Sequence, residues 1–404
     1  MKYRNTFFYT IFLVTGISQA SEEYLYPVDT IEHEGQQKLC VLHQKGSRLE
    51  LWFWSPETKE ATKGLLSYFT PAGVTVLPNK KGFSFIDHDR VRVKSVNKRS
   101  PKSIDFYGPY DLTRIHWIDE KTFYFGAKER QHSNLFHATI DGDLYRLTVS
   151  NTNDYIYPQK VGEKLFFIER NAQLEYSILQ APYPSKKLAQ LIEHDLYSAD
   201  FQITTKPALG EEESPYQALI DFDAAERIVN MGTKTIAFLK MQTAKRGFFV
   251  EHPEIAERTQ KSLPFSYHLL YKETEGWKTK KLFEFELPLH LLVVKKGRTR
   301  LYESILPLLP YYDNSTIYYV TLCPKTDSLD VFAYHLNSGA IEQKTFSERF
   351  EQNYFTPRIA GNSLFCGGSV CYDIRNVLAP SLDVDESGTE FFTFLGLARE
   401  VDNS

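Results

Sequence analysis

The sequence predicts an all-β fold: a single β-propeller of six or seven four-stranded blades, closed by its N- and C-terminal strands. Three observations carry that expectation. A phrase that starts at Asp111 returns at Asp154: an apolar segment, a turn, an aromatic strand (122–125, then 164–168), a second strand (135–138, then 176–179), a polar turn and a last strand. A period of about 40 residues built from short strands is what radial β architectures show. Aromatic residues make up 14% of the chain, with 29 Phe and 25 Tyr, a composition that suits pleated, half-buried surfaces.

The third observation is the spacing of the aromatic strand along the chain. It is expected at 38–43, 82–86, 122–125, 164–168, 234–239, 316–322 and 363–366. Most copies follow turn residues: Asn79-Lys80-Lys81-Gly82, Gly162-Glu163, Gly232-Thr233, Asp313-Asn314-Ser315 and Gly361-Asn362. Gly, Asn and Asp tolerate the positive φ that tight hairpins need. Partner strands are expected at 49–54, 91–96, 267–272 and 330–335. Seven copies give six blades if the first and last share one composite blade, and seven if they do not.

Residues 1–20 read as a signal peptide. Lys2 and Arg4 precede an apolar run, 7–17, and Ser18-Gln19-Ala20 supplies small residues for cleavage before Ser21. The run is shorter than the about 20 residues a membrane-spanning helix needs. The mature chain, 21–404, is therefore expected to be periplasmic or secreted, with no integral membrane span after cleavage. Two stretches lengthen the repeat, 198–226 and 240–264, and read as insertions in the propeller domain. A formal charge of −4 gives no electrostatic reason to expect nucleic acid.

The four cysteines leave two readings open. In an exported chain Cys40, near the first strand, could bond Cys366 or Cys371 near the last, latching the ring. The alternative is that all four are small buried hydrophobes.

At this level the repeats resemble the WD40-like (PD40) propeller repeat of the TolB C-terminal domain, found also in the non-catalytic domains of prolyl oligopeptidase-like peptidases. The match runs through Asp141-Gly142-Asp143 and the closing Arg146-Leu147-Thr148, then Pro158, Gly162, Lys164, Leu165 and Phe167. The resemblance covers roughly 111–192 and implies a propeller in an exported setting. The usual Ser-Pro-Asp-Gly turn is nowhere intact, and a first strand near Lys38 leaves no room for the N-terminal domain of TolB.

For chemistry the sequence offers little. No Gly-x-Ser-x-Gly elbow is present, and Ser363 and Ser369 read as hairpin residues. Asp383, Asp385 and Ser387 before Gly388 match the first half of a calcium loop, but Phe394 stands where an EF-hand needs its last ligand, so an ordinary acidic turn is the expectation and calcium the alternative. No other cofactor is expected. His88 between Asp87 and Asp89 reads as a hairpin turn, and Asp221 with Asp223 as an acidic turn. Trp52 and Trp54 share one strand face, with Phe53 on the other. The expected function is an exported binding or scaffold module for a protein, peptide or glycan. Its contacts are placed on the insertions: Glu211, Glu212 and Glu213 for a basic partner, Phe248 and Phe249 as apolar anchors. The alternative is a propeller enzyme, of lyase, lactonase or glycosidase type, with a central-channel site.

Overall fold

The structure is a computed structural model. It describes 23–370 and 399–400, except for 68–73, 96–101, 106–110, 189–217, 253–261, 289–293, 300–309, 346–352 and breaks of one to four residues at other turns. The signal peptide, the acidic run at Glu211, Cys371, and Asp383, Asp385 and Ser387 lie outside the described residues.

The strands form a six-bladed propeller. The first blade holds β1 (Glu23–His33), β2 (Gln36–Lys45), β3 (Arg48–Trp54) and β4 (Ala61–Ser67). The second holds β5 (Thr75–Val76), β6 (Gly82–Asp87), β7 (Arg90–Ser95) and β8 (Lys102–Asp105); the third, β9 (Asp111–Trp117), β10 (Thr122–Glu129), β11 (His132–Thr139) and β12 (Leu144–Arg146). The fourth holds β13 (Asp154–Val161), β14 (Lys164–Arg170), β15 (Tyr176–Pro182) and β16 (Glu226–Gly232); the fifth, β17 (Thr235–Thr243), β18 (Arg246–His252), β19 (Ser262–Glu273) and β20 (Gly276–Pro288). A small hairpin, β21 (Val294–Lys295) and β22 (Arg298–Thr299), precedes the sixth: β23 (Tyr311–Asp313), β24 (Thr316–Cys323), β25 (Ser328–His335) and β26 (Ile341–Gln343). The chain returns in β27 (Asn353–Ala360), β28 (Ser363–Val370) and β29 (Arg399–Glu400). β28 pairs with β1 through Glu23, Tyr24 and Leu25, so N- and C-terminal strands share the first sheet. That composite sheet is why seven aromatic strands make six blades.

The aromatic strands fall where the sequence places them, with one difference. Residues 234–239 open the fifth blade, as β17, instead of standing second in it. The preceding strand, β16, is the last of the fourth blade, delayed by the chain between β15 and β16, where the 198–226 stretch lies. The 240–264 stretch supplies the end of β17, all of β18 and the start of β19, and is mostly blade.

Hydrophobic cores sit between successive blades. Phe53 meets Phe83 between the first and second; Phe125 stacks on Phe136 within the core shared by the second and third. Between the fifth and sixth, Phe283 and Tyr319 stack with centroids 4.2 Å apart. Each blade is apolar on both faces, which is why the chain is so rich in aromatics. Trp52 and Trp54 are buried, as neighbour packing requires.

Two blades share one polar clasp. In the third, the Leu135 N–H donates to Thr148 Oγ1 (2.9 Å), and that hydroxyl donates to Asn134 Oδ1 (3.1 Å). In the sixth, the Val331 N–H donates to Thr345 Oγ1 (2.9 Å), whose hydroxyl donates to Asp330 Oδ1 (2.9 Å). The threonine that closes the Arg-Leu-Thr segment thus pins the blade's last segment to its third strand, where a buried N–H would otherwise go unpaired.

The ring latch from Cys40 to Cys366 is corrected. Cys40 is a free, buried thiol, as is Cys323. It lies on β2, and β1 stands between β2 and β28. Two strand spacings make roughly 9–10 Å, beyond the about 7 Å a disulfide can bridge. Burial, with the nearby Asp29, pushes the Cys40 thiol far above its ordinary range.

Candidate functional site

Two polar constellations flank the contact between the third and fourth blades. The first lies where β13 begins and β14 ends. Register puts Asp154 opposite Arg170, Arg170 opposite Tyr176 and Tyr176 opposite Gly232, a row across the fourth blade. Asp154 accepts the Ser133 N–H from the third blade (2.7 Å) and the Arg170 Nε–H (2.9 Å), with Arg170 Nη2 also bonded. Beside it, Glu169 accepts from Asn153 Nδ2 (3.0 Å) and Arg227 (2.9 Å). In the fifth blade Glu251 meets Lys234 (2.8 Å) and His268 Nε2 (3.0 Å), whose ring stacks on Phe249. Burial lowers the His268 pKa, opposed by the Glu251 charge.

These pairs share an asymmetry. The carboxylate side chains of Asp154, Glu169 and Glu251 are 9%, 9% and 11% exposed, whereas their cations Arg170, Arg227 and Lys234 are 34%, 53% and 62% exposed. The anion is buried and the cation faces water.

The β14–β15 hairpin rises from this rim. Asn171 Oδ1 accepts the N–H groups of Gln173 (3.0 Å) and Glu175 (2.9 Å), its Nδ2 donates to Glu175 Oε2 (2.9 Å), and its carbonyl accepts the Leu174 N–H (3.0 Å). At the tip, Leu174 is 56% exposed with φ +63°. The turn wants Gly or Asn at that position.

The second constellation lies toward the other end of the same blades. His137 on β11 sits 2.6 Å from the Tyr183 hydroxyl, near Tyr145, Asp119, Asp143 and Lys160. Burial lowers the His137 pKa to about 4; Asp119 and Asp143 pull against that shift and Lys160 adds to it. Burial raises the Tyr183 phenol far above its ordinary range, so a protonated phenol faces the ring. Burial raises Asp119, but bonds from the Thr122 hydroxyl and the N–H groups of Lys121 and Thr122 outweigh it and hold the carboxyl below its ordinary range. Tyr124 accepts the Lys160 N–H (2.7 Å) and stacks on His116, completing a close-packed cluster between the blades.

The residues singled out from the sequence are spread apart. Phe248 and Phe249 are fully buried, on opposite faces of β18, in the cores toward the sixth and fourth blades. Strand alternation put them there, so neither offers a surface anchor. Asp221 and Asp223 are exposed, with the Asp223 N–H bonded to Asp221 Oδ1 (3.1 Å), a local turn. Asp87 pairs with Arg90 across a hairpin whose turn, His88 and Asp89, lies outside the described residues. Among the described residues no three His, Cys, Asp or Glu side chains are grouped to hold a metal, and no helix is long and apolar enough to cross a membrane. Sequence reading missed Leu174. The available signal was a leucine inside a short polar loop, 171–175, between two expected strands.

No protein-family model matches the sequence. No curated protein matches it either. Among solved structures the chain is similar to TolB from Acinetobacter baumannii (11% identity, 85% of this chain and 68% of that one, TM-score 0.43) and to a putative TolB from Agrobacterium tumefaciens (14%, 66% and 90%, TM-score 0.40). It is also similar to an oligogalacturonate lyase in complex with manganese (8%, 87% and 91%, TM-score 0.47). Likenesses this weak add nothing to the propeller fold that the sheet order itself shows. Such a fold is compatible with a binding scaffold or with an enzyme that works in a central channel.

Proposed function

We propose that the chain is an exported β-propeller binding module that takes a protein or peptide partner on the rim of the fourth blade. Leu174 is the observation that supports this reading. A leucine exposed on a surface needs no explanation by itself. One held in the left-handed region does, because that backbone costs an L-residue about 1–2 kcal/mol, and Asn or Gly in its place would remove the strain. The Asn171 bonds fix the turn, so the apolar tip is displayed in one conformation and loses little entropy on contact. Strain of this kind concentrates where a surface is used.

The test is site-specific photo-crosslinking of the intact chain in its own cells, with benzoylphenylalanine at position 174 or at Lys121 on the opposite end. A discrete adduct from position 174 alone is expected. Equal labelling from both positions, or none, refutes the reading.

The second reading is a propeller enzyme of lyase, lactonase or glycosidase type. The His137–Tyr183 pair favours it: a neutral imidazole at hydrogen-bond distance from a phenol can relay a proton. Turnover by the purified chain that His137→Gln abolishes, with the fold intact, would displace the binding reading.

A further inference from the structure

We infer that the outer edge of the fifth blade pairs with the same edge of a second copy of this chain, two β20 strands running antiparallel about a two-fold axis near Leu282. The inference goes beyond the binding reading above and does not use the Leu174 rim.

β20 is the last strand of its blade and, at 13 residues, the longest described. It pairs with β19 along one side, from Gly276 opposite Glu273 to Pro288 opposite Ser262, and among the described residues no strand pairs with its other side. An open edge of this length is a template for another strand, and lysines commonly guard such edges by repelling it. β20 carries three, Lys278, Lys280 and Lys281, but it also carries Glu284 and Glu286, and all five are exposed. The lysines fill one half of the strand and the acids the other, with the half-buried Leu282 between them. A second β20 turned antiparallel lays each basic half against an acidic half. A parallel copy sets like charges together, so the order of the charges selects a two-fold partner. Lys280 makes no ion pair among the described residues, which leaves its charge open to the acids of the second copy. Lys281 is held by Glu284 and Lys278 by Glu273 within the chain. At Glu286, Thr321 Oγ1 of the sixth blade accepts the N–H (2.9 Å) and donates to the carbonyl (3.3 Å). That cap confines backbone pairing to the middle of the strand, and Glu286 contributes through its side-chain charge. Phe283, Phe285 and Leu287 are buried in the core against the sixth blade, so the edge is held in place and loses little freedom on pairing.

The intact chain is followed by sedimentation velocity against concentration, together with two double variants, Lys280→Glu with Lys281→Glu and Glu284→Lys with Glu286→Lys. The wild type is expected to pass from monomer to dimer at about 1–100 µM, and more weakly in high salt. Each double variant alone sets like charges against each other and should associate at least about tenfold more weakly. An equimolar mixture of the two should recover the dimer as a hetero-pair, which also shows that both variants are folded. Leu174→Asn should leave the dimer unchanged, so failure of the rim and failure of the edge are read separately. A wild type that stays monomeric at about 1 mM overturns the inference, the result expected if another segment of the chain covers the edge. A dimer that survives in both double variants, or that Leu174→Asn dissolves, places the contact elsewhere and overturns it too. So do double variants that are monomeric alone and fail to pair when mixed.

Discussion

His137 should make the propeller sensitive to acid. Its imidazole is buried between the third and fourth blades, 2.6 Å from the Tyr183 hydroxyl, and burial opposes the charged ring. In the unfolded chain an imidazole titrates near its ordinary 6.5; in the folded protein burial lowers it to about 4. Between those values the unfolded state binds the extra proton, so stability rises with pH. The contribution is intact above pH 6.5, falls as the pH drops toward about 4, and levels off below. Across the window the loss is about 3 kcal/mol. The neighbours of the ring are Asp119 and Asp143, which favour its charge, Lys160, which opposes it, and the phenols of Tyr183 and Tyr145. His137→Gln can still accept from Tyr183 but does not titrate. Urea unfolding of wild type and variant, followed by tryptophan fluorescence from neutral pH down to about 4, isolates the effect, since His268 is present in both. The wild type should lose about 3 kcal/mol relative to the variant. Parallel curves, or a wild type that gains stability relative to the variant on acidification, would refute the placement of a buried neutral imidazole.

Three further outcomes follow from the packing. Thr148→Val and Thr345→Val each strand a buried N–H and remove a bond to Asn134 or Asp330; each should cost about 2 kcal/mol, and the double variant should lose the sum, since the blades are far apart. Denaturant midpoints of the single and double variants check this. Gly82→Ala would place a methyl 2.6 Å from the Lys94 carbonyl and 2.7 Å from Leu77 Cδ1, so a loss of about 1–3 kcal/mol is expected in the same assay. A thiol reagent such as DTNB should leave Cys40 unmodified in the native chain and label it in denaturant; mass mapping that finds it in a disulfide contradicts its placement inside β2.

Much of the architecture was legible because it rests on local rules. Turn residues at Gly162 and Gly232 adopt positive φ, as their neighbours require, and the aromatic strands appear within a residue or two of their expected starts. What failed needed information between strands. Phe248 and Phe249 looked like anchors because their stretch lengthened the repeat; only pairing of β18 with β17 and β19 places them inside. Cys40 was matched to the last strands by proximity along the ring, and the intervening β1 is invisible until the sheet order is known. The rim was hidden for another reason. Arg170 and Lys234 are ordinary in sequence, and their outward bias arises from which partner is buried. Leu174 differs: its loop was in view, but its backbone angle belongs to three dimensions.

The sharing of β1 between two sheet partners also constrains how the chain can mature. The blades from the second to the sixth are contiguous in sequence, so each can zip as it emerges from a ribosome. The hairpin of β1 with β2 forms equally early, yet the outer edge of β1 at Glu23, Tyr24 and Leu25 has no partner until β28 arrives, more than three hundred residues later. Until then an open strand edge is exposed to other nascent chains. Joining distant ends is entropically modest but slow, so the vulnerable interval belongs to biogenesis, and a chaperone that shields one edge would act before the ring exists.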